Sequence, residues 1–383
     1  MLRIMPVFGT RPEAIKMAPL VKSLQNDTRI HCEVCVTAQH REMLDQVLVH
    51  FQIVPEYDLN IMQDVQTPSS ITSAVLEGMD RVFSVARPDL VLVHGDTTTS
   101  FAASLAAFYK KIPVGHVEAG LRSFDRYSPY PEEMNRSLTA RIAELHFAPT
   151  AANRSNLLCE GVQGAIYVTG NTVIDALMQM IKPGYVFRED GLNALCRTNG
   201  RRIILLTAHR RENLGEPLRS ICRAVRRIAE DFTDVEVIYP VHPNPAVREC
   251  VYPILSGHER VHIIEPVDVQ ELHNLIKASF LVMTDSGGLQ EEAPALGKPV
   301  IVLRKETERP EICEAGKAIL AGVDESAIYQ HASMLLADQE AYSRMQQAVN
   351  PYGDGKASER IVQAILYWAG VSQQEPLEFI PAG

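Results

Sequence analysis

Short runs of aliphatic and β-branched residues alternate with longer segments whose apolar positions recur every three or four residues, along almost the whole chain. The short runs predict strands over 2–8, 33–37, 89–94, 114–118 and 144–148. The amphipathic segments between them predict helices over 13–24, 41–51, 71–86, 98–109 and 132–141. After a polar stretch at 197–202 the pattern restarts, with strands predicted over 202–207, 235–239, 261–264, 280–284 and 299–303. Strictly alternating strands and helices make parallel sheets covered by helices on both faces. The predicted fold is α/β: two Rossmann-like, doubly wound domains facing a central cleft. The first spans 1–170 and is rejoined by a C-terminal helix over 357–372; a linker occupies 171–200, and the second domain spans 201–356.

Composition fits this division. The 383 residues, 46% hydrophobic and 22% charged, suit two globular domains of ordinary size. No apolar run approaches the roughly 20 residues that span a bilayer. The first residues run straight from an apolar stretch into a glycine turn, so they read as a buried strand and not as a leader. A net charge of −10 argues against a broad nucleic-acid-binding surface, though a few cations at a helix N-terminus still make a local anion site. Seven cysteines, an odd and scattered set, point to a reducing, cytoplasmic setting. Cys32 and Cys35 are expected on opposite faces of one strand, and with no second pair they predict no zinc site.

Ligands of open α/β sheets bind beyond the carboxyl ends of the strands, and the chemically capable residues fall there. After the first strand, Gly9, Arg11, Pro12 and Lys16 place cations beside a helix start, an arrangement suited to a diphosphate. This segment is neither GxGxxG nor a Walker A loop, so it points to neither NAD nor ATP. Asp96 follows the strand 89–94, where capping the next helix is the simpler role for an Asp. Glu118 ends the strand 114–118, and Glu132 follows Pro131 at a helix start. Three carboxylates converging on one crevice are expected to raise at least one pKa toward neutrality, as acid–base chemistry requires. His209 and His242 each follow a strand in the second half. Ser286, Gly287 and Gly288 open a helix where bare N–H groups and the helix dipole suit phosphate oxygens. Glu292, on that helix, is placed to accept from ribose hydroxyls, and Arg309 adds a cation.

Eleven stretches, in order, resemble the non-hydrolysing UDP-N-acetylglucosamine 2-epimerases, enzymes of GT-B architecture. They are FGTRPEAIKMAPL (8–20), TAQHREMLDQV (37–47), LVHGDTTTS (92–100), GHVEAGLRS (115–123), YSPYPEEMNR (127–136) and GNTVIDAL (170–177). TAHRREN (207–213), YPVHPNP (239–245), TDSGGLQEEAPALGKPV (284–300), ERPE (308–311) and NPYGDGKAS (350–358) complete the set. The resemblance implies Asp96, Glu118, Glu132 and His209 in catalysis. It implies Arg11, Lys16, His209, Ser286, Gly287, Gly288, Glu292 and Arg309 around a UDP-sugar, and a homodimer. It also implies loss of the C2 proton with anti-elimination of UDP to a 2-acetamidoglucal, then re-addition, without metal or cofactor. Gln39, His40, Arg210 and His242 match the region where some members bind an activating second UDP-sugar. Glu42 stands there for a usual Gln and Val65 for a usual Arg, which predicts weak or altered activation. Ser123 and Phe124, in place of the usual Thr-Gly, resemble epimerases of diacetamido-uronic nucleotides, and Leu272 replaces a usual aromatic. A related uronic-acid epimerase, a GT-B glycosyltransferase, a hydrolysing epimerase and a non-catalytic UDP-sugar sensor remain as competing readings.

Overall fold

The predicted strand over residues 2–8 pairs with three others in the first sheet. The computed structural model describes residues 1–39, 41–62, 67–197 and 200–381. Its first half runs β1 (Leu2–Phe8), α1 (Arg11–Asn26), β2 (Ile30–Cys32), β3 (Cys35–Val36), α2 (Arg41–His50), β4 (Tyr57–Asp58), α3 (Pro68–Ala86) and β5 (Leu90–His94). It continues with α4 (Thr98–Tyr109), β6 (Val114–Val117), α5 (Glu132–Ile142), β7 (Leu145–Ala148), α6 (Ala151–Cys159), β8 (Ala165–Val168) and α7 (Thr172–Met180). The second half runs α8 (Asp190–Arg197), β9 (Arg202–Thr207), α9 (Glu216–Asp231), β10 (Val235–Pro240), α10 (Pro245–Leu255), β11 (Val261–Ile264), α11 (Val269–Ala278) and β12 (Leu281–Thr284). It ends with α12 (Gly287–Ala295), β13 (Val300–Val302), α13 (Pro310–Glu314), β14 (Ala318–Leu320), α14 (Glu325–Ala337), α15 (Gln339–Gln347) and α16 (Ala357–Trp368).

The chain folds as two units, Met1–Ala176 with Tyr352–Ile380, and Leu177–Pro351. It leaves the first unit inside α7, and residues 171–200 hold α7 and α8 as well as loop. The helix α16 belongs to the first unit, where Asp175 receives the N–H groups of Ala357 and Ser358 at 3.1 and 2.7 Å.

In the first unit the parallel strands lie in the order β4-β3-β1-β5-β6-β7-β8, with β2 also paired to β1. Every residue of β5 and β6 is buried, which is why these strands read as continuous apolar runs without alternation. Met5, Val7, Val91 and Val93 pack with Val75, Met79, Ala102 and Ala103 of α3 and α4. The strand expected over 33–37 is reduced to β3, and a separate strand, β2, precedes it: β2 pairs with the start of β1 and β3 with its end. The break falls at Glu33 and Val34, where the Val34 N–H donates to the Glu56 carboxylate at 2.5 Å. Cys32 and Cys35 therefore sit on separate strands and not on two faces of one. β4, β8 and β14, of two, four and three residues, were not foreseen, since runs this short do not set a period.

The second unit orders its parallel strands β11-β10-β9-β12-β13-β14, the 3-2-1-4-5-6 arrangement of doubly wound folds. Ile204, Leu206, Val237 and Met283 meet Ile221, Val225 and Ile328 in its core. In each sheet the strand order reverses once, at β1/β5 and at β9/β12, and the loops after those strands bear the candidate residues. No helix of the described residues is long and apolar enough to cross a membrane.

Candidate active site

In the first unit the turn after β1 is held by a buried carboxylate. Glu13 accepts from the N–H groups of Gly9 and Thr10 at 3.1 and 2.8 Å, and from the Thr10 hydroxyl at 2.8 Å. Its other oxygen accepts from Thr97 and Ser100 at 2.7 and 3.0 Å, tying this turn to the one after β5. Gly9 is required by close approach: a Cβ there would stand 1.9 Å from the Thr37 hydroxyl. The same turn starts α1, which brings Arg11 and Lys16 to the sheet edge; Arg11 is half-buried.

Lys16 reaches the end of β6. Its Nζ donates to both oxygens of Glu118, at 2.8 and 2.6 Å, and His94 Nε2 lies 2.8 Å from one of them. Burial alone would raise the Glu118 pKa, but Lys16 and His94 overcome it and hold the carboxyl well below the usual carboxylate range. This corrects the expectation that crowding raises a carboxylate at Glu118, whose charge is met by Lys16 and His94. Glu118 also adopts a φ of +61°, a left-handed conformation that a non-glycine residue keeps only where its surroundings over-determine it.

Asp96 is half-buried and does not cap α4; that role falls to Thr97, whose side chain accepts from the Ser100 N–H at 3.1 Å. The Asp96 carboxylate is instead paired with Arg136 of α5. Glu132 is the first residue of α5, and its side chain makes no hydrogen bond or ion pair with the described residues. Gln39 accepts a 3.4 Å bond from Thr99, Glu42 is exposed on α2, and His40 and Val65 lie outside the described residues. Ser123 and Phe124 both donate their N–H groups to Glu133.

In the second unit the buried Asp285, at the end of β12, organises the site. One of its oxygens accepts from the N–H groups of His209 and Arg210 and from Asn213, at 2.8, 2.9 and 3.0 Å. His209 and His242 stack with ring centroids 5.2 Å apart. Partial burial lowers the His209 pKa; Asp285 opposes this, while His242 and Arg210 add to it. Ser286 precedes α12 and makes no capping bond with its side chain, so the N–H groups at Gly287 and Gly288 face outward from the helix start. A Cβ on Gly287 would stand 2.7 Å from Nη1 of Arg309 and 3.5 Å from Nη2 of Arg210, so two guanidinium groups flank this helix end. The buried Glu291 orients Arg309 through a 2.5 Å bond, and Glu292 lies 3.2 Å from His273 Nε2. Two arginines at the N-terminus of a helix are an anion site.

The structure thus brings Lys16 to Glu118 within the first unit. Within the second it gathers His209, His242, Arg210, Arg309 and residues 286–288. Sequence reasoning missed His94, Arg136, Glu13 and Asp285. Each lies inside a quoted motif, and the usable signal was a polar residue ending an otherwise apolar strand (His94), or directly after one (Asp285).

Two doubly wound units with polar groups at the carboxyl ends of their strands define the class of GT-B-type α/β proteins. A solved sucrose-phosphate synthase of Thermosynechococcus elongatus, 12% identical, matches 97% of this chain and 100% of its own with a TM-score of 0.65, a likeness of fold alone. The particular family follows from closer matches: residues 22–366 fit the family model described as UDP-N-acetylglucosamine 2-epimerase. The UDP-N-acetylglucosamine 2-epimerase of Bacillus subtilis is 55% identical over 379 residues, covering 99% of this chain and 98% of its own. A crystal structure titled UDP-GlcNAc 2-epimerase from Neisseria meningitidis bound to UDP-GlcNAc is 47% identical, with a TM-score of 0.84, covering 95% of this chain and 100% of its own. The chain belongs to the UDP-N-acetylglucosamine 2-epimerase family, a family of isomerases.

Proposed function

We propose that the chain interconverts UDP-GlcNAc and UDP-ManNAc. A carboxylate of the first unit takes the C2 proton while the bond from the anomeric carbon to the diphosphate oxygen breaks, giving a 2-acetamidoglucal and UDP. UDP then adds back to the anomeric carbon as C2 is reprotonated on its other face. The observation that carries this reading is geometric: Glu118 and Asp96 follow the adjacent strands β6 and β5, and each carboxylate is held in place by a cation, Lys16 and Arg136. Glu132, unpaired on the neighbouring helix, is the third proton-transferring group.

The helix start at Ser286, Gly287 and Gly288, with Arg309 and His209, holds the diphosphate and stabilises charge on departing UDP, and Arg11 and Lys16 are the cations of the first unit's strand-end site. Glu292, oriented by His273, accepts from the ribose. Arg210 and His242, in the second unit, are groups for binding a second, activating UDP-sugar. The protein acts in the cytoplasm as a homodimer, supplying ManNAc units for surface polysaccharide.

The deciding experiment is incubation with UDP-GlcNAc in D2O, followed by NMR. UDP-ManNAc carrying deuterium at C2 is the expected product. Free ManNAc, turnover only with an added acceptor, or ligand binding without turnover would each overturn the reading.

A further inference from the structure

The first turns of α5 do more than present Glu132. Glu133 is buried, and its two oxygens accept from the N–H groups of Ser123 and Phe124 at 3.0 and 3.1 Å. Asn135 donates from its side-chain amide to the Asp96 carbonyl at 3.0 Å. Arg136, three residues after Glu133 and thus on the same helix face, donates from Nη1 to Glu133 at 3.1 Å and from Nη2 to the Asp96 carboxylate. Its side chain is only 13% exposed. His116 fixes the preceding peptide by donating from Nε2 to the Gly95 carbonyl at 2.7 Å. Main-chain bonds therefore set the Asp96 backbone, and among the described residues Arg136 is what holds its carboxylate.

We propose that Arg136 is a positioning residue for the epimerisation, with Glu133 as its anchor and Asp96 as the group it aims. This rests on the reading of Asp96 as a proton-transferring carboxylate. An aspartate on a turn keeps two rotatable side-chain bonds, and misplacing a reacting group by about 1 Å costs on the order of a hundredfold in rate. Arg136 removes that freedom because its two outer nitrogens bind two carboxylates at once, in one plane. A lysine is a point charge and cannot serve both in fixed geometry. The same bridge joins Asp96 to the backbone at Ser123 and Phe124, so α5 sets three parts of the site from Glu132 to Arg136.

The test compares R136Q, R136K and D96N with the wild-type full-length protein. For R136Q, kcat per UDP-binding site should fall on the order of a hundredfold. KM for UDP-GlcNAc should stay within about threefold, and the melting temperature and UDP affinity should be nearly unchanged. R136K, which restores the charge but not the fork, should recover about a tenth of the wild-type rate. R136Q with kcat within about twofold of wild type, or a loss tracking the fraction of unfolded protein, overturns the proposal. The D96N arm separates the two layers. Wild-type turnover in D96N sinks the role of Asp96 itself, whereas an inactive D96N beside an active R136Q sinks only the role of Arg136.

Discussion

Lys16 Nζ bridges both carboxylate oxygens of Glu118, at 2.8 and 2.6 Å, although 102 residues separate them in the chain. The pair is more than a contact between charges, because burial of Glu118 would otherwise push its pKa up. Since the folded-state value is depressed, the pair's stabilisation is fully present above the unfolded Glu value of about 4.3 and is lost as pH falls through the folded value. Replacing Lys16 with Met leaves a buried carboxylate opposed only by His94. The variant should lose about 3 kcal/mol at pH 7. With burial now dominant, its melting temperature should rise between pH 7 and pH 5, while the wild type stays flat. A K16M curve parallel to the wild type would show that Lys16 is not what holds Glu118 charged.

Glu13→Gln tests the knot that ties the turn after β1 to the turn after β5. The carboxylate accepts five bonds, from Gly9, Thr10 (twice), Thr97 and Ser100. An amide presents one acceptor oxygen and turns its NH2 toward donors. Chemical denaturation should show a loss of about 2 kcal/mol, since bonds to charged groups contribute roughly 1.5–3 each and some are kept. Thr97→Ala, which removes a single donor, should cost about 1 kcal/mol by the same measurement.

Gly287→Ala adds a methyl 2.7 Å from Nη1 of Arg309 and 3.1 Å from its Cζ. The neighbour is the far end of a flexible side chain, so the fold should survive, and Ala is the better helix former at that position. Arg309 must move, however, and with it the pairing to Glu291. Calorimetry should find UDP binding weakened about tenfold with an unchanged melting temperature, the loss of one charge-assisted contact. Unchanged affinity would remove Arg309 from the diphosphate site.

The sheets were legible because buried parallel strands such as β5, β6 and β9 are largely apolar, and the residues just after them drew attention to Asp96, Glu118 and His209. What stayed hidden was pairing. Nothing in a sequence says that Lys16, on the first helix, meets Glu118, because that contact is set by the adjacency of β1, β5 and β6 in the sheet. For the same reason crowding of carboxylates was expected to raise a pKa, when the fold supplies a cation to Glu118 and another to Asp96. Glu13 and Asp285 went unnoticed because a buried acid that binds backbone N–H groups looks, as a letter, like any surface acid.

Glu42 is exposed on α2, near Gln39 in sequence. A carboxylate where a neutral amide would serve repels a diphosphate, by about 1 kcal/mol or more at contact range near the surface. The velocity curve for UDP-GlcNAc should therefore be nearly hyperbolic, and Glu42→Gln should make it more sigmoidal. Clear sigmoidicity in the wild type would show that this residue does not weaken activation.

His209 should take up a proton when UDP binds. Partial burial, His242 and Arg210 hold its pKa below the ordinary histidine value against the pull of Asp285, so near neutral pH the free protein carries it mostly uncharged. A diphosphate placed at the α12 N-terminus reverses the local balance, because an anion within a few ångströms favours imidazolium. Binding should then tighten as pH falls from 8 toward 6. Titration at pH 7 in buffers of different ionisation enthalpy should show net proton uptake. His209→Asn should bind UDP more weakly, with the uptake reduced and the pH dependence flattened. If the variant takes up as many protons as the wild type, His209 is not the group that binds them.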